Sequence, residues 1–164
     1  MIEQAVHGDL RGYFMETYNQ KDMEEAGLTM NFVQDNQSSS GKAVLRGLHY
    51  QKKYPQGKLI RVIRGTVFDV AVDIRTESAT YGKWYGIVLS EENKKQFYIP
   101  EGFAHGFLVL IEQADFCYKC TDFYHPDDER GIAWDDPTIH IAWPELDVPY
   151  RMSEKDKKWG RLGE

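Results

Sequence analysis

Leu59-Ile60-Arg61-Val62-Ile63-Arg64-Gly65-Thr66-Val67-Phe68-Asp69-Val70-Ala71-Val72-Asp73-Ile74-Arg75 reads as strand, turn, strand. β-Branched and aromatic residues suit a pleated backbone, and Gly65 interrupts the run where a turn can form. The same texture continues through Trp84 to Leu89, Asn93 to Ile99, Phe103 to Leu110 and Ala114 to Tyr124. Short strands at this spacing, punctuated by Gly and Pro, predict a mainly β chain folded as an antiparallel sandwich or barrel. Outward from this block, Ile139 to Trp143 reads as one more brief strand before a charged tail, Ser153-Glu154-Lys155-Asp156-Lys157-Lys158-Trp159. Toward the N-terminus, Asp9 to Glu16 is a turn followed by a short strand, and Thr17 to Gly27 is the only segment with helical character. Phe32 to Ser38 passes from strand into loop, and Ser38-Ser39-Ser40-Gly41-Lys42 reads as an exposed connection.

The 164 residues predict a single domain, 1–164, with a substantial core. A formal charge of −6 argues against a nucleic-acid groove and against adhesion to an anionic membrane, although local charge still permits an anionic substrate. The N-terminal residues lack the basic and apolar regions of a secretory signal, and no apolar run is long enough to cross a bilayer, so the expectation is a cytoplasmic protein. Cys117 and Cys120 form a lone Cys-x-x-Cys on a predicted strand, where residues three apart point to opposite faces. Zinc would need a second ligand pair and a redox motif belongs at a helix start, so both thiols are read as structural.

Chemistry concentrates between Leu45 and Lys58, in Leu45-Arg46-Gly47-Leu48-His49-Tyr50-Gln51 and then Gln56-Gly57-Lys58. Histidine takes and returns a proton near neutral pH, arginine suits a phosphate, and a lysine ammonium stabilises negative charge developing on an oxygen. Arg46, His49 and Lys58 together suggest acid–base chemistry on an anionic substrate.

Pro100-Glu101-Gly102-Phe103-Ala104-His105 fits the Pro-x-Gly-x-x-His signature of the cupins, a jelly-roll fold with a site inside its barrel. Where that fold commonly carries His-x-His, this chain has His49-Tyr50-Gln51, and Lys58 precedes Gly65 at the spacing of the usual glutamate ligand. A cation in the place of a metal-binding carboxylate would repel a divalent metal, so no metal and no cofactor are expected. The runs Asp9 to Glu16, Phe32 to Asn36, Val44 to Gln51, Gln56 to Leu59, Phe68 to Arg75, Ile99 to Leu110 and Tyr118-Lys119 resemble the dTDP-4-dehydrorhamnose 3,5-epimerase family over most of the chain.

That resemblance implies a role for each matching residue. His49 would be the base that removes a proton beside the C4 ketone of a dTDP-linked 4-keto-6-deoxysugar, with Asp156 orienting its imidazole. Tyr118 would return the proton on the opposite face, Lys58 would stabilise the enolate oxygen, and Arg46 and His105 would lie beside the sugar. Arg11, Glu16, Gln34, Asn36, Glu129 and Lys155 would contact the diphosphate, deoxyribose and base, with Tyr124 stacked on thymine. A homodimer is implied as well. The chain has fewer residues before the first family motif than is usual, which bears on an edge strand that often reaches the neighbouring subunit. Gly160 stands where a proline is frequent after the tail motif, which bears on the placing of Asp156.

Asp69 and Asp73 share one face of their predicted strand, and Asp69 is a candidate partner for Lys58 or His49. His7, His125 and His140 have no motif around them and are read as surface or structural; Asp127-Asp128-Glu129 resembles a solvated turn. Two rival functions stand beside the epimerase: a relative of the same fold that inverts only C3 or only C5, and a non-catalytic cupin that binds a nucleotide sugar.

Overall fold

The computed structural model describes residues 1–164. Its elements, in chain order, are β1 (Val6–Asp9), β2 (Gly12–Met15), α1 (Gln20–Glu25), β3 (Gln34–Gly41), β4 (Leu45–Gln51), β5 (Lys58–Arg64), β6 (Thr66–Asp73), β7 (Trp84–Ser90), β8 (Gln96–Ile99), β9 (Phe103–Val109), β10 (Gln113–Cys120) and β11 (Glu129–Gly131). Two antiparallel sheets dominate, a four-stranded one in the order β3-β10-β5-β8 and a five-stranded one in the order β11-β4-β9-β6-β7. β1 and β2 pair only with each other. No helix is long and apolar enough to cross a membrane.

The sheets face each other across a core built from alternate residues of each strand. Ile60 and Val62 of β5, Val67 and Ala71 of β6, Phe107 and Val109 of β9, and Ala114 and Phe116 of β10 all belong to it. Period-two alternation then fixes which other side chains point inward. Lys58 continues the row of Ile60 and Val62, Tyr118 and Cys120 continue that of Phe116, and Asp69 lies between Val67 and Ala71. Each inner face is therefore apolar at one end and polar at the other.

A second apolar layer covers the outer face of the five-stranded sheet, where Leu48, Val70, Val72 and Ala104 meet Ile132 and Ile139, with Ile141 and Trp143 against them. Here the sequence expectation fails, because Ile139 to Trp143 forms no strand. Asp136, only 2 % exposed, accepts hydrogen bonds from the backbone N–H groups of Thr138, Ile139 and Leu162, which holds the segment in a turn. Its alternating apolar residues are buried by lying on a sheet rather than by joining one. Ser38 to Lys42 also departs from expectation: Ser38, Ser39, Ser40 and Gly41 are in β3, paired to β10 at Phe116, Asp115, Ala114 and Gln113. Ser38 lines a cavity, Ser40 Oγ accepts from Arg46, and Ser39 points the other way, into solvent. Asn93 to Lys95 and Thr121 to Tyr124 fall outside their strands, and the helix keeps only Gln20–Glu25. Cys117 and Cys120 are free thiols, Cys120 buried.

β4 contains the irregularity that matters most. Its pairing with β9 shifts register between Arg46 and His49, and Gly47 between them has φ 123°. A Cβ on Gly47 would come within 2.5 Å of the Gly106 Cα and 2.8 Å of the His105 carbonyl oxygen. Neither backbone atom can move aside without parting the strands. We predict that Gly47→Ala destabilises the fold by roughly 3 kcal/mol, from positive-φ strain added to overpacking. Urea unfolding measures this, and an unchanged midpoint would refute the reading of that approach.

Candidate active site

The polar ends of the two inner faces enclose a cavity of about 730 Å³, open mouth included, lined by Arg46, His49, Lys58, His105, Tyr118, Tyr124 and Glu129 together with Ser38, Tyr50, Gln51, Gln56, Phe107 and Phe116. The register explains the grouping. His49 stands opposite His105 on one side and Gly131 on the other, so β11, β4 and β9 bring Glu129, His49 and His105 to one wall. On the facing wall Lys58 is paired with Cys120, and Tyr118 with Ile60 and Asn36. The register shift at Gly47 lets Arg46 and His49, three residues apart, both reach the cavity.

His49 Nε2 lies 2.5 Å from Asp156 Oδ1. Asp156 comes from the charged tail and is 4 % exposed. Its backbone N–H donates to Ser153 Oγ, and Trp159 Nε1 donates to its Oδ1 at 3.3 Å. Burial works against the charged form of Asp156, but the bonds to His49, Ser153 and Trp159 outweigh it and hold the carboxyl below its ordinary range. Gly131 makes room for this arrangement, because a Cβ there would stand 2.3 Å from the Trp159 ring. Trp159 was not singled out in the sequence; a large aromatic among lysines was the available signal. With Nε2 engaged, Nδ1 is the nitrogen left for other work, and it lies 4.0 Å from Glu129 Oε1.

Glu129 connects the predicted nucleotide residues to one another. Tyr124 Oη donates to its Oε2 at 2.7 Å, and Lys155 pairs with the same oxygen. The hydrogen bond to Glu129, with burial behind it, pushes the Tyr124 phenol up to about 12. Gln34 Oε1 accepts from the Tyr124 backbone N–H, Gln34 Nε2 donates to Asn36 Oδ1, and Asn36 Nδ2 donates to Cys120 Sγ. Arg46 donates from Nε and Nη2 to Ser40 Oγ at 3.2 and 3.0 Å. The acidic turn is more ordered than expected, since buried Asp128 accepts from the backbone N–H groups of Lys53 and Tyr54, and His125 stacks on Tyr54 with centroids 4.0 Å apart.

On the facing wall, burial pulls Lys58 below the ordinary lysine range, and burial raises the Tyr118 phenol. His105 Nε2 lies 3.0 Å from Asp69 Oδ2, so Asp69 meets His105 rather than His49. No group of three or more His, Cys, Asp or Glu is arranged to hold a metal ion. With Lys58 and Arg46 inside and Lys155 at Glu129, the cavity can receive an anion and present an imidazole, a phenol and an ammonium to it.

Two predicted residues lie elsewhere. Arg11 pairs with Asp9 in the β1–β2 hairpin with its side chain 90 % exposed, and Glu16 accepts from Asn19 Nδ2. Neither reaches the cavity of its own chain.

The depressed Asp156 carboxyl links stability to pH. A group whose folded pKa lies below its unfolded value stabilises the fold above the unfolded pKa, and that contribution fades as pH falls through the folded value. We predict that Asp156→Asn is less stable than the parent by roughly 2 kcal/mol at neutral pH, and that the gap narrows once pH drops below about 4. Urea midpoints of both proteins at the two pH values measure this, and a constant gap would contradict it.

Residues 1–164 match the sequence profile of the dTDP-4-dehydrorhamnose 3,5-epimerase family. A Shigella flexneri enzyme of that name is 60 % identical over 158 residues, covering 95 % of this chain and 86 % of the relative. One from Methanothermobacter thermautotrophicus is 56 % identical over 165 residues, covering 100 % of this chain and 89 % of the relative. The crystal structure of dTDP-6-deoxy-D-glucose-3,5-epimerase from Legionella pneumophila, in complex with dTDP-4-keto-L-rhamnose, superposes with a TM-score of 0.95 at 54 % identity, over 98 % of this chain and 85 % of that one. A jelly-roll of two antiparallel sheets and likeness along the whole chain agree: the chain belongs to the dTDP-4-dehydrorhamnose 3,5-epimerase family of isomerases.

Proposed function

We propose that the protein inverts C3 and C5 of a dTDP-linked 4-keto-6-deoxyhexose, taking dTDP-4-dehydro-6-deoxyglucose to dTDP-4-dehydrorhamnose without a metal or redox cofactor. The observation that carries this is the division of groups between the sheets: His49 enters the cavity from β4 of one sheet, and Tyr118 and Lys58 enter it from β10 and β5 of the other.

A hydrogen beside a ketone is too weak an acid for imidazole to remove unaided, so the enolate must be stabilised as it forms. His49 Nδ1 takes the proton from carbon, and the bonding pair moves into the ring as negative charge appears on the C4 oxygen. Asp156, bound at Nε2, holds the ring in place and stabilises the imidazolium. Lys58 meets the oxygen with its ammonium in a site where burial strengthens the attraction. Tyr118 then delivers its phenolic proton to the other face of the carbon, which leaves the centre inverted and the C4 ketone restored. The raised pKa of Tyr118 suits this, because the phenol still carries its proton at neutral pH. Solvent returns a proton to Tyr118 and removes one from His49, and the cycle repeats at the second carbon. Tyr124, Glu129, Lys155, Gln34 and Asn36 form the nucleotide end, with Tyr124 stacking on thymine.

We also infer a homodimer. The β1–β2 hairpin exposes Leu10, Phe14 at 69 % and Tyr13 at 61 %, an apolar surface that water alone does not favour. It also carries Arg11, which does not reach the cavity of its own chain. Docked on a second copy, the hairpin buries those side chains and brings Arg11 to that copy's nucleotide.

Three measurements test these assignments. In heavy water the wild-type protein should carry deuterium into C3 and C5 of the thymidine-linked 4-keto-6-deoxyglucose, and His49→Ala should stop this while still binding thymidine diphosphate. Exchange at one carbon alone would favour a mono-epimerase, none at all would favour a binding module, and retained exchange in His49→Ala would remove the base from its role. Arg11→Ala should weaken thymidine diphosphate binding by about tenfold, the loss of one charge-assisted hydrogen bond. Sedimentation should find a dimer that Phe14→Asp dissociates; a wild-type monomer with unaltered Arg11→Ala affinity would refute the docking.

A further inference from the structure

Two charged groups, Lys58 in the cavity wall and Asp69 enclosed behind it, lack the full set of partners that buried charges ordinarily have. Asp69 is fully enclosed, and its Oδ1 accepts no hydrogen bond. Lys58 is 9 % exposed, and its Nζ is bonded to no protein group. Folded proteins pair nearly all buried polar atoms, and a carboxylate oxygen left unsatisfied beneath a cavity lined by an unpaired ammonium indicates an arrangement that serves chemistry rather than stability. The register produces it. Asp69 lies on the inner face of β6, directly opposite Phe107 of β9, and reaches His105 on the same strand, where its Oδ2 meets Nε2 at 3.0 Å. The His105 Nδ1 makes no hydrogen bond within the protein, and the ring lines the cavity.

Building on the epimerase reading, we propose that Asp69 is a positioning residue for the ketone end of the substrate: it keeps Lys58 charged and holds His105 with Nδ1 available to the sugar.

The groups around Lys58 single Asp69 out. Burial pulls the ammonium toward its neutral form, and Cys120, Asp69 and Glu129 oppose that. Cys120 is itself held in its neutral thiol form by burial, so at neutral pH it supplies no negative charge. Glu129 is engaged by Lys155 and Tyr124. The remaining titratable groups of the cavity, Arg46, His49, Tyr50, His105, Tyr118 and Tyr124, provide no anion at neutral pH. Asp69 is left as the carboxylate whose field falls on Lys58: burial raises its own pKa, and the His105 ring, by charge and by hydrogen bond, together with Lys58 draws it back toward the anion. Asp73, on the same face of β6, is spent on Arg75, Ser78 and Thr80. The unsatisfied Oδ1 is the cost of keeping Nζ free for the incoming oxygen.

The test is the pH dependence of deuterium uptake in wild type, Asp69→Asn and Asp69→Glu, with thymidine diphosphate binding as the measure of an intact cavity. Asp69→Asn should lower uptake by about 100-fold while leaving nucleotide affinity nearly unchanged. Its alkaline limb should fall by about one pH unit, because Lys58 without an anionic neighbour loses its proton sooner. Asp69→Glu, which keeps the charge, should keep that limb near the wild-type position, and it carries the test if Asp69→Asn loses nucleotide binding. An unmoved limb in Asp69→Asn, or a limb in Asp69→Glu lowered as far as charge loss predicts, would overturn the proposal. Absence of uptake in the wild type would instead overturn the epimerase reading, and this inference with it.

Discussion

Side chains of a strand alternate between its faces, so residues three apart belong on opposite sides of a sheet. The cavity depends on β4 breaking that rule. At Gly47 the chain enters a region that disfavours side chains, the pairing with β9 slips, and Arg46 and His49 come to the same side. Gly106 on the facing strand accepts this, since a Cβ there would stand 2.8 Å from the Arg46 carbonyl oxygen. Two glycines thus permit a close approach that no other pair of residues could make, and it gives one strand both an imidazole and a guanidinium for the same ligand.

Around that break the sandwich divides its interior between stability and chemistry. Phe107 and Phe116 stack at 4.2 Å where the apolar core ends, and His105 packs beside both rings. Beyond them lie His105 and then Lys58, Asp69 and Tyr118, the last three being groups that burial drives toward their neutral forms unless a partner intervenes. Asp156 has such partners and remains a depressed acid; Tyr118 has none and remains a phenol. The base, His49, and the acid, Tyr118, are carried on opposite sheets, which is what an inversion requires.

Much of this was legible in the sequence. The β-rich runs gave the strands from β5 to β10, and the Arg46 to Lys58 stretch with His105 and Tyr118 named one wall and then the other. The errors share a cause: alternation and polarity were read without knowing what lay across from them. Ile139 to Trp143 alternates like a strand, yet it is bound into a turn by Asp136 and covers a sheet from outside. Ser38 to Ser40 is polar like a loop, yet it is a strand that turns Ser38 to a polar cavity and Ser39 to solvent. Trp159 behind Asp156 and the bond from Asp69 to His105 are contacts between segments distant in the chain, and only the register of the sheets creates them.

The central claim is geometric: one sugar ring held between an imidazole and a phenol, with an ammonium at its carbonyl oxygen. A crystal structure with a stable analogue of the thymidine-linked sugar tests it most directly. The account predicts His49 Nδ1 and Tyr118 Oη within about 3.5 Å of the reacting carbons on opposite faces of the ring, and Lys58 Nζ on the C4 oxygen. A ring with both groups on the same face, or one whose C4 oxygen lies away from Lys58, would contradict it.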